Sequence, residues 1–509
     1  MSCGGAPVRD PGAAPDPGSV LIGALIRHAA ERPAARAVVH YSSRAEPAVL
    51  SWSELRHCTE HVARRVIAEV GDGATVLLVA RSSIETHTCL LGCLWAGVNV
   101  LPVSPLTTPS ELRDLAKRAC VSLAIADVAS APKLESLAIP ILPLEAARAG
   151  GAGRALDPRA GSLLLQSSGT TGLPKIVQRE ARALAATGTA LEAAIGLGPG
   201  DRLLLTLPQH HSYGIDTGLL AAVVAGCELE IHEKFVPATV RSAVLERSIT
   251  VWPAVPLMLD LVSRLAWDGG VGHSLRCVIS AGSPLPARVA EQFAQRVGVP
   301  VSQIYGASEF GSVAFGDARS LGRSPAAVGL PLPGVAIQIR ACGGVPARVL
   351  EPGSEGEVWI ASPSMLTRYL DDTERPDASG FLRTGDLGRL DEHGALALTG
   401  RLKLLIDVGG QSINPLELEA CLNRHPAVFE SVVVATAHSD TSERLKAIVV
   451  PEPGALPDPA EILRHARLHL ARSKVPRTIE ICHDVPRTPT GKIDRRELQR
   501  RERQGEGAR

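Results

Sequence analysis

Short apolar strands alternate with helical segments along most of this chain. Thr75-Val-Leu-Leu-Val79 reads as a buried strand, 83–96 as a helix, and Val98-Asn-Val-Leu-Pro102 as the next strand. Strand–helix–strand order of this kind builds a parallel, doubly wound sheet with helices on its faces. The same grammar continues on either side. Segments 37–41 and 48–52 suit strands, and a helix starts at Ser53 and runs toward Glu69. Further on, 182–195 is helical, 201–206 and 228–231 are strands, and 218–225 is a small-residue apolar helix able to pack closely. At 509 residues the chain exceeds one ordinary core, so two or more domains are expected.

Composition excludes several classes of function. Basic and acidic residues number 53 each, so no charge excess points to nucleic acid or an anionic membrane. Aromatic residues are only 3%, too few for stacking platforms on single strands. No apolar run reaches the ~20 residues that span a bilayer. The ten cysteines form no CxxC pair and no metal-ligand cluster along the sequence. Cys89 and Cys93 sit in a helical apolar stretch and read as core residues. A reduced, cytoplasmic chain is expected. Residues 1–19 are rich in Gly, Pro and Ala, lack a signal-peptide core, and read as a disordered arm.

Chemistry first becomes visible after the apolar run Leu163-Leu164-Leu165. The loop Ser167-Ser168-Gly169-Thr170-Thr171-Gly172-Leu173-Pro174-Lys175 leads on to a second strand at Ile176-Val177. Its glycines let backbone N–H groups approach an anion, its hydroxyls donate hydrogen bonds, and its lysine adds a mobile cation. It lacks the Walker A spacing. Taken alone, the composition also suits a hairpin loop that binds nothing.

Four later motifs add charge. Val301-Ser-Gln-Ile304 delivers Tyr305-Gly306-Ala307-Ser308-Glu309, which combines an aromatic face, a hydroxyl and a hard oxygen ligand suited to Mg²⁺. Phe381-Leu-Arg-Thr-Gly-Asp386 supplies an acceptor-only carboxylate, matched to the two hydroxyl donors of a ribose, or else an Asx turn. Gly400-Arg401-Leu402-Lys403 brings a permanent cation. Pro489-Thr490-Gly491-Lys492 ends in a lysine that, in isolation, is only an exposed loop residue.

In this order the five motifs resemble the core motifs of the adenylate-forming superfamily, which includes acyl- and aryl-CoA ligases, peptide-synthetase adenylation domains and luciferases. The resemblance covers the chain from about Leu21 to Leu498. It implies that Ser167, Ser168, Gly169, Thr170, Thr171, Gly172 and Lys175 hold the phosphates of ATP. The turn carrying Ala281, Gly282 and Ser283 would lie over adenine and substrate. Tyr305, Gly306 and Ala307 would face the adenine, Ser308 the α-phosphate, and Glu309 the Mg²⁺. Asp386 would clamp the ribose, and Arg401 would reach ribose or phosphate. Lys492 would bridge the substrate carboxylate and the α-phosphate. Physics supports such a lysine, because a carboxylate attacking a polyphosphate brings anion onto anion.

The resemblance also places His211 at the floor of the acid-binding pocket, with Ser212, Tyr213, Ala281 and Gly306 around the substrate. His211-Ser212-Tyr213 looks like the His-Asn-Tyr of aryl-acid activators, and its two hydroxyls suit an ortho substituent on a benzoate ring. Amino-acid-activating relatives carry an aspartate here. Ser212 or Tyr213 takes that position, with Asp216 nearby as a minority alternative.

Lys403 matches the hinge about which the small domain turns; many relatives are acidic at or near it, whereas here Leu404 follows. Gly409 and Gly410 would line the pantetheine channel. Asn414-Pro-Leu-Glu417 is a helix start, with Asn as cap, Pro at the first position and Glu able to reach back. Asp458-Pro-Ala-Glu461 repeats it before a helix toward Arg472.

The expected fold is α/β: doubly wound layers plus a β-barrel part in a large N-terminal domain (20–400), a hinge (401–403), and a small mobile α+β domain (404–509). The expected reaction joins a carboxylic acid, of benzoate or aminobenzoate type, to coenzyme A through acyl-AMP, using ATP and Mg²⁺. A free-standing enzyme loading an acyl carrier protein and a ligase for a short aliphatic acid are the alternatives. A monomer or homodimer is expected.

Overall fold

A computed structural model describes residues 20–42, 46–71, 73–145, 156–167, 175–267, 272–319, 327–343, 347–371, 374–408, 411–439, 442–488 and 492–504. The expected arm 1–19, the loop residues Ser168, Gly169, Thr170, Thr171 and Gly172, and the pair Gly409 and Gly410 lie outside the described residues.

Two large sheets organise the first four hundred residues. One has seven strands, and its middle is parallel: Ser162–Gln166, Asn99–Val103, Thr75–Val79, Val121–Ala126 and Ile141–Pro143 lie side by side. Ile176–Glu180 adds to its edge antiparallel, folding back on Ser162–Gln166. The second sheet has thirteen strands. From Arg36–Tyr41 through Glu228–His232, Arg202–Leu205, Val251–Ala254 and Cys277–Ser280 to Val301–Ala307 all pairings are parallel. At Val301–Ala307 the sheet changes character. Its next neighbour Gly311–Gly316 is antiparallel, as are all pairings onward through Ala327–Pro331, Leu396–Arg401, Leu382–Leu390, Gly356–Ala361 and Ala336–Arg340. The last five strands are the barrel-like part of the expectation.

Local sequence explains the helix ends. Ser51 caps Trp52–Glu69 through a reciprocal box with Glu54, whose carboxylate accepts from the Ser51 N–H at 2.8 Å. Thr108 and Glu111 do the same for Pro109–Arg118. The stretch 218–225 is not one α-helix. Ile215–Leu220 is a π-helical turn that passes into α-helix at Ala221–Ala225. Close packing requires its neighbour Gly188, since a Cβ there would stand 2.6 Å from Val224 Cγ2. Cys89 and Cys93 are buried core residues, as their setting implied.

The small domain has its own core. Val428–Ser439, Ser442–Pro451 and Thr478–Ile481 form a three-stranded sheet packed by Pro415–Leu422, Pro459–His469 and Arg495–Gln504. Asn414 caps its first helix as expected, accepting from the Leu416 N–H at 3.1 Å. Glu417 does not close the box; it pairs with Lys474 at 2.7 Å, because a cation is a stronger partner than one backbone N–H. The helix after Asp458 ends at His469, short of Arg472. Among the described residues no helix is long and apolar enough to cross a membrane.

One buried ion pair ties the layers. Arg179, on the seven-stranded sheet, is fully buried and donates from one nitrogen to both Asp216 oxygens, at 2.9 and 3.3 Å. Its other nitrogen donates to Thr187 Oγ1. Asp216 is therefore committed to a protein cation. The alternative reading of Asp216 as a holder of a substrate ammonium is overturned. Asp216→Ala leaves a buried guanidinium unpaired, which should lower unfolding stability by about 3–5 kcal/mol. Urea unfolding checks this; a change within ~0.5 kcal/mol, as at a surface site, would refute the pairing's structural role.

Candidate active site

The motifs meet where strands end. In open α/β sheets a crevice forms outside the carboxyl ends of parallel strands, at points where the chain changes direction. Ser162–Gln166 ends at Ser167, Cys277–Ser280 at Ala281, and Val301–Ala307 at Ser308. The segment after Arg202–Leu205 carries His211 to the same end. Val301–Ala307 is also the strand at which the large sheet switches from parallel to antiparallel.

The first wall is the loop hairpin. The Ser167 N–H donates to the Lys175 carbonyl at 2.9 Å, so both ends of the loop are placed. Ser167 is buried, and its Oγ faces the Glu309 carboxylate without closing a full hydrogen bond among the described atoms. A buried hydroxyl short of a full hydrogen bond is costly and marks a position for a ligand or water. Lys175 points to Glu374, at 2.8 Å, over the Tyr369 ring, 4.7 Å from its centroid. Its cation is thus held at the loop but shared with a carboxylate 199 residues further along the chain.

The second wall is Tyr305–Glu309. Tyr305 is only 8% exposed, so its ring face is largely covered. Its hydroxyl donates to Asp386 Oδ2 at 2.5 Å, and burial beside that carboxylate pushes the phenol well above its ordinary range. The open surface here is instead the backbone of Gly306 and Ala307. Gly306 has to be glycine, since a Cβ would stand 2.5 Å from the Gly311 carbonyl oxygen. Ser308 Oγ lies 3.4 Å from Ser212 Oγ and 3.5 Å from the Gln166 carbonyl, joining three segments. Burial pushes the Glu309 carboxyl above its usual range, while Arg401, Lys175 and Ser167 pull it back.

Asp386 is aligned from three sides. Leu382–Leu390 pairs with Leu396–Arg401 so that Asp386 faces Arg401 directly. Arg401 Nε donates to Asp386 Oδ1, Tyr305 to Oδ2, and the Asp386 N–H donates to Thr384 Oγ1 at 3.0 Å. Each carboxylate oxygen has a second lone pair, so room for hydroxyl donors remains. Thr384 in turn donates to the Val358 carbonyl at 2.8 Å.

The floor is the histidine segment. Tyr213 N–H donates to His211 Nδ1 at 3.3 Å, which places the ring proton on Nε2. Burial, then Lys492 and His210, hold the His211 pKa down to about 3, and burial holds His210 to about 4. His211 is therefore a neutral hydrogen-bond donor near pH 7. Tyr213 departs from its expected part. Its hydroxyl lies 2.9 Å from the Ile279 carbonyl and 3.3 Å from that of Ala254, so its proton is spent on backbone. Ser212 keeps its hydroxyl toward Ser308.

The small domain closes the site. Lys492 Cε lies 3.5 Å from where a Cβ of Gly282 would stand, and Gly282 has φ +88°, a conformation that favours glycine. Burial and Arg401 lower the Lys492 pKa, whereas Asp386 and Glu309 raise it. Ala281 is partly exposed and Ser283 exposed along the same turn. Lys403 is exposed in a single turn, Leu402–Leu404, between the last strand of the large sheet and Ile406–Val408. Asn414 reaches back to the Thr399 carbonyl at 2.6 Å, and only glycine at 400 leaves it space.

A second contact was not legible in the sequence. Phe429 of the small domain lies against two guanidinium groups, 5.1 Å from Arg264 and 5.0 Å from Arg288. Arg288 also pairs with Glu452 at 3.1 Å, and Asp260 holds Arg264 at 2.8 Å.

The model of the AMP-binding enzyme family matches residues 25–370, and that of the AMP-binding enzyme C-terminal domain matches 417–492. The chain belongs to the AMP-binding enzyme family. It is 30% identical to a sulfoacetate–CoA ligase of Cupriavidus necator, over 85% of this chain and 88% of that one. It is also 30% identical to a fatty acid–[acyl-carrier-protein] ligase of Streptomyces coeruleorubidus, over 93% and 95%. Among solved structures, ATP-bound MatB from Rhodopseudomonas palustris superposes with a TM-score of 0.87 at 25% identity, covering 95% of this chain and 99% of that one.

In this AMP-binding enzyme the Phe429 contact should hold the small domain against the large one. A cation–π contact contributes about 0.5–2 kcal/mol. Phe429→Ala should therefore favour the undocked form by roughly tenfold, read as faster tryptic cleavage after Arg401 or Lys403. Cleavage at the wild-type rate would contradict a holding role.

Proposed function

We propose that this enzyme is an acid–thiol ligase working in two steps. In the first, a carboxylate oxygen of the acid attacks the α-phosphorus of ATP, and the bond to pyrophosphate breaks. In the second, a thiolate attacks the acyl carbonyl and AMP leaves. The thiol is coenzyme A. The observation that carries the proposal is the convergence of Glu309, Asp386, Arg401 and Lys492, from the turn after Val301–Ala307, two strands and the small domain, on one cleft.

Each role follows from charge and placement. Ser167, its loop neighbours 168–172 and Lys175 cradle the phosphates, and the Ser167 hydroxyl, buried without a full hydrogen bond, supports that assignment. Lys175 exchanges Glu374 for phosphate on binding. Asp386 accepts from the ribose hydroxyls, and Arg401 holds it in register. The open backbone of Gly306 and Ala307 and the turn at Gly282 and Ser283 flank the adenine. Glu309 holds Mg²⁺, a hard cation that neutralises phosphate charge when bound. Lys492 stands between attacking carboxylate and α-phosphate. His211 Nε2–H donates to the acid. Lys403 is the hinge that later withdraws Lys492 and brings Gly409 and Gly410 to the thiol.

For the acid we propose an aromatic carboxylate of benzoate or aminobenzoate type. The small residues Ala281 and Gly306 leave flat walls for a ring, and Ser212 keeps a hydroxyl for an ortho substituent. The commitment of Asp216 to Arg179 removes the group that would bind an ammonium. Likeness over 93% of the chain to a carrier-protein ligase keeps a second acceptor in view. An acid panel run for pyrophosphate release, followed by thioester formation with CoA against a holo-carrier, separates these readings. Aryl acids and CoA are the expected winners; a short aliphatic acid or a carrier protein preferred over them would replace this assignment.

Lys492→Ala should cut acid-dependent pyrophosphate release about a hundredfold or more while ATP still binds. Release should also fall on the alkaline side. Lys492 acts as a cation, and its pKa in the free enzyme is lowered, so the loss sets in below the ordinary lysine value of 10.5. Lys492→Arg should move that limb to higher pH. Near-wild-type release in Lys492→Ala, or a limb that ignores Lys492→Arg, would refute its role.

A further inference from the structure

Between Arg401 and Lys492 in the chain, the small domain gathers sulfur and imidazole donors. Cys421 ends the helix Pro415–Leu422, and His465 and His469 lie one turn apart on Pro459–His469. An i, i+4 pair shares one helix face, and that face packs on the helix carrying Cys421. One ligand atom from each residue lies within 4.8 Å of the other two. The His465 and His469 rings are 4.4 Å apart, and His425 stands edge-on to His465 at 5.4 Å.

We propose that Cys421, His465 and His469 form a site for a thiophilic divalent transition ion, zinc being the best match. Thiolate and imidazole are the donors that select such ions over Mg²⁺ or Ca²⁺. Two backbone contacts pre-set the rings. His469 Nδ1 lies 2.9 Å from the His465 carbonyl, and His465 Nε2 lies 3.1 Å from the Cys421 carbonyl. A carbonyl can only accept, so each contact fixes one N–H and leaves the other ring nitrogen with a free lone pair. This is the outer-shell arrangement that orients metal-binding histidines. Tetrahedral zinc holds nitrogen at ~2.0–2.1 Å and sulfur at ~2.3 Å, so binding turns and draws the three side chains inward from their present spacing. Cys421 is buried, His465 partly buried and His469 exposed, which gives one closed side and one route of entry. Water completes the shell. Binding displaces the Cys421 thiol proton to solvent and clamps two helices of the small domain together.

The test uses the full, tag-free, metal-free chain titrated with Co²⁺ alone and then Zn²⁺. One equivalent of Co²⁺ should give a thiolate-to-cobalt absorption band that zinc abolishes. Cys421→Ser should lose the band. His469→Ala, at an exposed position that should not disturb folding, should weaken binding about tenfold or more. Zinc should raise the unfolding temperature of the wild type and not of His469→Ala. No band at one equivalent, a band that survives Cys421→Ser, or equal affinity in wild type and His469→Ala would each overturn the proposal.

Discussion

The reaction we propose brings like charges together, and one cation is assigned to make that possible. A carboxylate approaching a polyphosphate is repelled, and the repulsion grows as water is excluded. In the proposed mechanism Lys492 answers it only when the small domain is docked, because that residue belongs to the small domain and the groups around it, Glu309, Asp386 and Arg401, to the large one. Burial among them lowers its pKa, yet two carboxylates raise it again. The site therefore exists as a relation between domains rather than within either. Phe429 against Arg264 and Arg288, Arg288 with Glu452, and Asn414 over Gly400 are among the contacts that make this relation specific.

The large domain supplies rigid edges for that meeting. Ser167 follows a strand of one sheet, Ala281 and Ser308 follow strands of the other, and Ser308 Oγ lies 3.5 Å from the Gln166 carbonyl. The change to antiparallel pairing at Val301–Ala307 then lets Leu382–Leu390 and Leu396–Arg401 bring Asp386 and Arg401 in from the other direction. Asp386 is fixed by Tyr305, Arg401 and Thr384 before any ligand arrives. Such preorganisation spares the reorganisation that water would require at the moment of reaction.

Much of this was legible because it is local. Strand–helix alternation, the caps at Asn414 and Asp458, and the order of the five motifs are all short-range patterns, and they carry the fold and the family. What escaped is what depends on distant partners. Nothing near Tyr213 shows that its hydroxyl is spent on the carbonyls of Ala254 and Ile279. Asp216 reads as an available carboxylate until Arg179, 37 residues earlier, is seen beside it. Lys175 reads as free until Glu374 is placed against it. Tyr305 was expected to offer a ring face, and tertiary packing turned it into an anchor for Asp386 instead. Cys421 lies 44 residues from His465, so their cluster has no sequence spacing to betray it; the pair His465 and His469 was the only local hint.

The route of one oxygen atom tests this account at its root. If the acid attacks the α-phosphorus, a carboxylate labelled with ¹⁸O should pass one labelled oxygen into AMP when thioester forms, leaving pyrophosphate unlabelled. Label in pyrophosphate or inorganic phosphate, or ADP as the nucleotide product, would mean that the cleft directs attack elsewhere and that the roles given to Lys492 and Glu309 are mistaken.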